Sequence, residues 1–401
     1  MKKLILALAA ATSLALAMPV TSVPAYAQAA QGVTDSEILI GSNQDMSGIF
    51  AAFGAPAVKA AQLKFDEVNE AGGIHGRKIR FIVEDHAYQM PKAIAGLNKL
   101  VNGDKVFAML LSLGTPMNIA GFKLQDAKNI PNVSPLSAAR QMDEPFNTLH
   151  FAGTASYYDQ IRAGVKYLAE KNGRKKVCPL YIPTDFGKEI QLGSQDSAKE
   201  SDGAIEFGVE ATAKPDTADF VGSLTKLKDA GCDIVTMALG VRQAITAYAT
   251  ARKLGWGEDQ VDFLNASAGF HTAIAKVPGG ITNGLYAAAG WSDLVARMDD
   301  PEVQKFSKAY TEASGEPFPS TGAVLGYSAA ETLVRALEAA GPELTTESFI
   351  KGMEGLNYRD PISDNQVDYG PEERKGADEI ILSQVVDGDW KVLERIEESG
   401  S

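Results

Sequence analysis

Lys78-Ile79-Arg80-Phe81-Ile82-Val83-Glu84 and, one proline-led segment later, Val106-Phe107-Ala108-Met109-Leu110-Leu111 decide the fold. In the first run Ile79, Phe81 and Val83 share one face, the period of a strand. Pro91 fits the first turn of a helix carrying Ile94, Leu97, Leu100 and Val101. The second run is apolar throughout, as in a strand covered on both faces of a parallel sheet. Repeated strand–helix alternation implies a doubly wound α/β sheet.

The same rhythm extends in both directions. Upstream, Glu37-Ile38-Leu39-Ile40 reads as a strand, and a helix from Ala57 ends at Gly72-Gly73. Downstream, Ile130 to Val133 is the next strand. A second α/β unit then begins, with strands at Val177–Ile182, Ile205–Val209 and Ile234–Leu239. Past Ala288 the chain is mostly helical and closes with a hairpin around Asp387-Gly388. Two sheets in tandem leave a crevice between them.

The chain has 401 residues, with 38 Lys and Arg against 51 Asp and Glu, a formal charge of −13. Such an acidic chain is poorly suited to nucleic acid or an anionic membrane. Residues 1–27 differ from the rest. Lys2 and Lys3 precede an apolar stretch, and Ala25-Tyr26-Ala27 offers small residues where a signal peptidase reads. Cleavage after Ala27 and export to the periplasm are expected. Export permits disulfides, but there are only Cys178 and Cys232. Two buried thiols is the preferred reading, and a bridge is open if their strands are neighbours. His75, His86, His150 and His271 are scattered singly, so no metal site is expected.

Phosphate-loop, dinucleotide, zinc-protease and C-x-x-C motifs are absent from the sequence. Gly326-Tyr327-Ser328-Ala329-Ala330 falls short of a nucleophile elbow and sits in a helical pattern, where Ser328 reads as a packing residue. Asp85-His86 reads as a surface turn. Trp256, Trp291 and Trp390 read as packing residues, with Trp291 weighed evenly as a ligand-stacking one. Polar loops stand out after three strands: Ser42-Asn43 with Met46-Ser47-Gly48, Ser112-Leu113-Gly114-Thr115-Pro116, and Ser134-Pro135-Leu136-Ser137. Each leads toward a helix, whose N-terminal N–H groups can seat a carboxylate. Open α/β sheets bind ligands at this edge.

At these motifs the sequence resembles periplasmic solute-binding proteins of ABC transporters, of the leucine/isoleucine/valine-binding type. The resemblance is carried by Met46-Ser47-Gly48, Phe53-Gly54, Asp66 to Gly76, Gly114-Thr115-Pro116, Ser134-Pro135, Asp185-Phe186-Gly187 and Asp219-Phe220. It implies the type I fold of two doubly wound lobes joined by three hinge crossings, here near Thr148–Gly153, Ala287–Trp291 and Tyr358–Ile362. Lobe 1 would comprise 28–149 and 291–360, and lobe 2 would comprise 150–290 and 361–401. It also implies a monomer that hands a small solute to an inner-membrane ABC permease, without cofactor or catalysis. A module of this fold reporting to a membrane sensor is the alternative.

The resemblance implies a ligand carboxylate held by Thr115 in the Leu113 loop and by Leu136, Ser137 and Ala138. Phe53 and Phe186 match aromatic lid positions, and Tyr88 and Asp185 complete the expected set. Where the family pairs the ligand ammonium with an acid, this chain has Ser267. An unpaired ammonium in a dry cleft is costly. The expected ligand is therefore a small carboxylate-bearing solute, a branched-chain amino acid or, better suited to Ser267, a related aliphatic or aromatic acid without an ammonium, with a short amide as alternative. Asp185, Glu84 and Asp85 are the acids that could serve instead.

Overall fold

The computed structural model describes residues 30–397, so the signal segment expected at 1–27 lies outside the described residues. The first sheet has the order β2-β1-β3-β4-β5, all parallel: β1 (Glu37–Gln44), β2 (Lys78–Asp85), β3 (Ala108–Leu110), β4 (Asn132–Val133) and β5 (His150–Phe151). β3 is buried along its length and β2, at the edge, is half exposed, as their apolar and alternating sequences require. Helices α1 (Ala51–Glu70), α2 (Met90–Asn98) and α3 (Thr115–Ala127) link the strands. The late helix Thr321–Ala339 lies along α1. A Cβ on Gly326 would fall 2.1 Å from the Ala57 carbonyl oxygen, so only glycine permits this close approach. The Gly326–Ala330 stretch is thus a helix-packing surface.

The second sheet holds β6 (Lys176–Tyr181), β7 (Glu206–Phe207), β8 (Ala211–Thr212), β9 (Ile234–Ala238), β10 (Asp262–Asn265) and β11 (Tyr286–Ala289). A short pair, β12 (Asn357–Arg359) and β13 (Gln366–Asp368), stands apart, and the chain ends in β14 (Glu379–Val386) and β15 (Asp389–Glu397), which extend the second sheet antiparallel. Helices α4 (Tyr157–Asn172) and α5 (Asp185–Lys199) cover it. α4 begins where the Ser156 hydroxyl accepts the Asp159 N–H and stops at Gly173, φ 68°.

Two expectations are corrected here. The lobes do not divide at 150 and 361. His150–Phe151 pairs with β4 as part of the first sheet. Val367 and Tyr369 pack in the first core, with Tyr369 edge-on to Phe151, so the third crossing falls between Tyr369 and β14. Side-chain burial and not helix–strand rhythm sets that boundary, and it is invisible to periodicity. Secondly, Cys178 and Cys232 form a disulfide, not two thiols. β6 and β9 are adjacent, and Cys232 lies just before β9, which brings the two Cα atoms to 5.9 Å.

Candidate functional site

Strands β3 and β4 each end in a residue with left-handed backbone, Leu111 at φ 58° and Ser134 at φ 44°. These kinks turn both following loops over the carboxyl edge of the first sheet. Backbone bonds then stitch the loops together. Leu113 N–H donates to Asn43 O (2.9 Å), Leu136 N–H to Ser112 O (3.0 Å) and Gly114 N–H to Leu136 O (3.2 Å). Gly114 sits at φ 100°, and a Cβ there would meet the Tyr88 ring at 3.1 Å.

His86 braces this arrangement from below. It is fully buried and not a surface turn residue, which corrects the sequence reading. Its Nδ1 accepts the Tyr88 N–H (3.0 Å), so Nε2 carries the proton and donates to Leu113 O (3.1 Å). Burial holds its pKa below the ordinary imidazole value and keeps the ring neutral.

The loops open into a cavity between the two sheets. Thr115 is the first residue of α3 and 1% exposed, and its hydroxyl is 2.7 Å from that of Ser137. Two hydroxyls beside the first turn of a helix form a polar spot suited to an anion. Leu113, Leu136 and Ala138 line the wall beside them. An aromatic wall follows. Phe50 lies edge-on to Tyr88 (4.7 Å) and to Phe186 (5.8 Å), and Tyr157 lies edge-on to Phe186 (5.1 Å). Phe50 and Tyr88 come from the first lobe, Tyr157 and Phe186 from the second. Burial pushes the Tyr157 phenol up to about 12 and Tyr88 above its ordinary value, so both rings are neutral walls.

Phe53, Tyr88, Leu113, Thr115, Leu136, Ser137, Ala138, Phe186 and Ser267 all line the cavity. Asp185 does not. It is exposed at the first position of α5, where its charge faces the helix N-terminus while Phe186 turns inward. Glu84 and Asp85 also lie outside the lining, and Asp85 instead accepts from Met46 N–H and the Ser47 hydroxyl. Trp291 lines the cavity, whereas Trp256 and Trp390 are core. Sequence reasoning missed Phe50, Tyr157 and Asp360. The short spacing of Phe50 from Phe53 was the available signal for the first. Among the lining residues Asp360 is the one that bears a charge.

The lobes touch beyond the cavity. His271, 3% exposed, accepts the Ala273 N–H at Nδ1 (3.0 Å) and donates from Nε2 to Ala52 O (3.1 Å) in the opposite lobe. Thr272 N–H donates to the Thr321 hydroxyl (3.0 Å). Arg140, between β4 and β5, pairs with Glu189 of α5 through two bonds of 3.0 Å.

Two α/β lobes with a cavity lined from both are the architecture of a solute-binding protein. The sequence pattern of the periplasmic binding protein family matches residues 37–389, and the chain belongs to that family. It is 24% identical over 317 residues to a Leu/Ile/Val-binding protein homolog 1 of Brucella abortus, covering 76% of this chain and 79% of that protein. Among solved structures it resembles a fatty acid ABC transporter substrate-binding protein from Thermomonospora curvata (TM-score 0.83, 24% identity, 93% of this chain and 95% of that one). It also resembles a branched chain amino acid ABC transporter protein from Thermus thermophilus with bound valine (TM-score 0.81, 19% identity, 92% and 98%). Among the described residues no helix is long and apolar enough to cross a membrane.

Proposed function

We propose that the protein is the exported, monomeric solute-binding component of an ABC uptake system, capturing a small carboxylate between its lobes and delivering it to a membrane permease. One observation carries the reading: the Thr115–Ser137 hydroxyl pair at the start of α3 is a polar spot beside an aromatic wall, in a cavity to which both lobes contribute. The similar proteins are named for a fatty acid and for valine, and the chemistry those ligands share is a carboxylate. The cavity holds no Lys, Arg or His, so hydroxyls and helix N–H groups are what would hold the anion. Ligand contacts to both lobes favour the closed state, and that differential affinity drives closure.

Thr115→Ala tests the seat. Calorimetry with 4-methylpentanoate (leucine without its ammonium) and 3-phenylpropionate should show affinity lowered by about 1.5–3 kcal/mol, the worth of a hydrogen bond to a charged group. Ligand-free thermal stability should hold. Wild-type affinity in the variant would reduce Thr115 to a turn residue.

Closure should also depend on pH through His271. Burial holds its pKa at about 4, against an ordinary value of 6.5. With the lobes apart, the ring meets water and titrates normally. As pH falls below about 6.5 the open state takes up a proton that the closed state cannot, so closure weakens. Above 6.5 both states are neutral and no dependence remains. Affinity for 3-phenylpropionate should fall toward tenfold per pH unit between about pH 6 and 5. His271→Gln should flatten that slope, and an equally steep slope in the variant would place the effect elsewhere.

A further inference from the structure

Four cavity-lining side chains carry a buried polar atom without a hydrogen-bond partner: Thr154 Oγ1, Trp291 Nε1, Asp360 Oδ2 and Asn365 Oδ1. Thr154 and Trp291 sit where the chain passes between lobes, and Asp360 and Asn365 belong to the β12–β13 turn of the first lobe. Thr154 follows β5 and Trp291 follows β11. Thr154 and Asn365 meet at Gly290, the residue before Trp291: a Cβ there would lie 1.9 Å from Thr154 Oγ1 and 3.5 Å from Asn365 Oδ1, and Asp360 N–H donates to Asn365 O (2.8 Å).

Asp360 is 1% exposed and rigidly held. Its Oδ1 accepts from the Ser328 hydroxyl (2.7 Å), Ile362 N–H (2.9 Å), Ser363 N–H (2.7 Å) and the Ser363 hydroxyl (3.0 Å). Four donors stabilise the carboxylate on one oxygen and leave the other free. Asn365 is fixed as well, its Nδ2 donating to Gly153 O (2.8 Å). A buried polar group without a partner costs about 1–3 kcal/mol, and these four residues line one cavity, where a ligand can supply the partner.

We propose that a second polar subsite beside the first two crossings, built by Thr154, Trp291, Asp360 and Asn365, takes a neutral hydroxyl of the ligand. The choice follows from the inventory. Asp360 Oδ2 and Asn365 Oδ1 accept, while Trp291 Nε1–H only donates. An ammonium donates only, and would leave the indole N–H unpaired. A hydroxyl donates to the carboxylate and accepts from the indole. Because Thr115 and Ser137 stand on other elements, the ligand is bifunctional: a carboxylate at one end, an apolar body against the aromatic wall, and a hydroxyl toward the hinge. The subsite rests on the carboxylate reading above.

The test is calorimetry on the intact mature protein with paired probes of increasing length. These are benzoate, phenylacetate, 3-phenylpropionate and hexanoate, each beside its terminally hydroxylated partner, with 4-(aminomethyl)benzoate as the cationic arm. At least one hydroxylated acid should bind about tenfold or more tightly than its parent, since a site built for a hydroxyl rejects the analogue lacking it. Trp291→Phe should shrink that ratio below about threefold. Asp360→Asn should do the same, and Trp291→Phe stands alone if that variant does not fold. Equal binding within every pair, with Thr115→Ala still harmful, overturns the subsite and spares the carboxylate seat. A hydroxyl preference that survives both variants, or tighter binding of the aminomethyl acid, overturns the assignment. Binding of none of these acids overturns the subsite and the carboxylate reading together.

Discussion

Arg140→Ala is expected to weaken binding of a cleft ligand by about a hundredfold while leaving the ligand-free protein folded. Glu189 lies in α5 of the second lobe, its side chain 1% exposed. The Arg140 guanidinium, from the first lobe, meets it with a two-pronged pair, Nε to Oε2 and Nη2 to Oε1, both 3.0 Å. The same guanidinium stacks 3.8 Å over the Tyr158 ring. Removing the arginine leaves a carboxylate enclosed between lobes with only the weaker donors Arg140 N–H (3.2 Å) and Gln141 Nε2 (3.5 Å). Stranding one partner of a buried pair costs about 3–5 kcal/mol. Arg140 is partly exposed, so the low end applies, about 3 kcal/mol or a hundredfold in affinity. Lobes that separate let Glu189 hydrate, so the cost falls on closure and not on folding. Replacing both residues by methionine should recover much of the affinity. Calorimetry with 3-phenylpropionate reads this out, and affinity unchanged within twofold would mean the pair is ornamental.

Loss of the disulfide should be comparably large, but in stability. Cys178 and Cys232 are 0% and 3% exposed and enclose a sequence separation of 54. Loop-closure entropy for that length is worth about 4 kcal/mol, and real bridges typically deliver about 2–4. Cys178→Ala with Cys232→Ala should therefore lower the unfolding temperature by about 3–5 °C for a chain of this length. Ligand affinity should stay near wild type, because neither cysteine lines the cavity. A thermal scan with the wild-type midpoint would show that the bridge constrains nothing the fold does not already fix.

The double winding was legible because the central strands are buried on both faces and leave uninterrupted apolar runs, as in β3 and β9. The three polar loops were legible as punctuation, and backbone bonds do bring them together. What escaped was whatever depends on sheet order or on a single turn of chain. The disulfide required β6 and β9 to be neighbours, which element order alone does not give. Asp185 and Phe186 were drawn together as one motif, but at the start of a helix adjacent residues point apart. Asp360 sits between Arg359 and Pro361 in the short irregular turn between β12 and β13, where no periodicity marks which side chain turns inward. The boundary near residue 361 failed for the same reason, since Val367 and Tyr369 reveal their lobe only through packing.

The central claim is that the cavity is built for a carboxylate and not for an α-amino acid. Ser267, 2% exposed, lines the cavity where the family places a counter-charge for an ammonium, and the free oxygen of the one charged lining residue, Asp360, shares the cavity with the unpartnered Trp291 indole N–H, a donor that an ammonium would leave unpaired. A thermal-shift panel of leucine, isoleucine, valine and phenylalanine beside their deaminated acids tests this most directly. The account predicts stabilisation by one or more of the acids and little by the matching amino acids. Strong stabilisation by leucine, isoleucine or valine, with none from the deaminated acids, would contradict it.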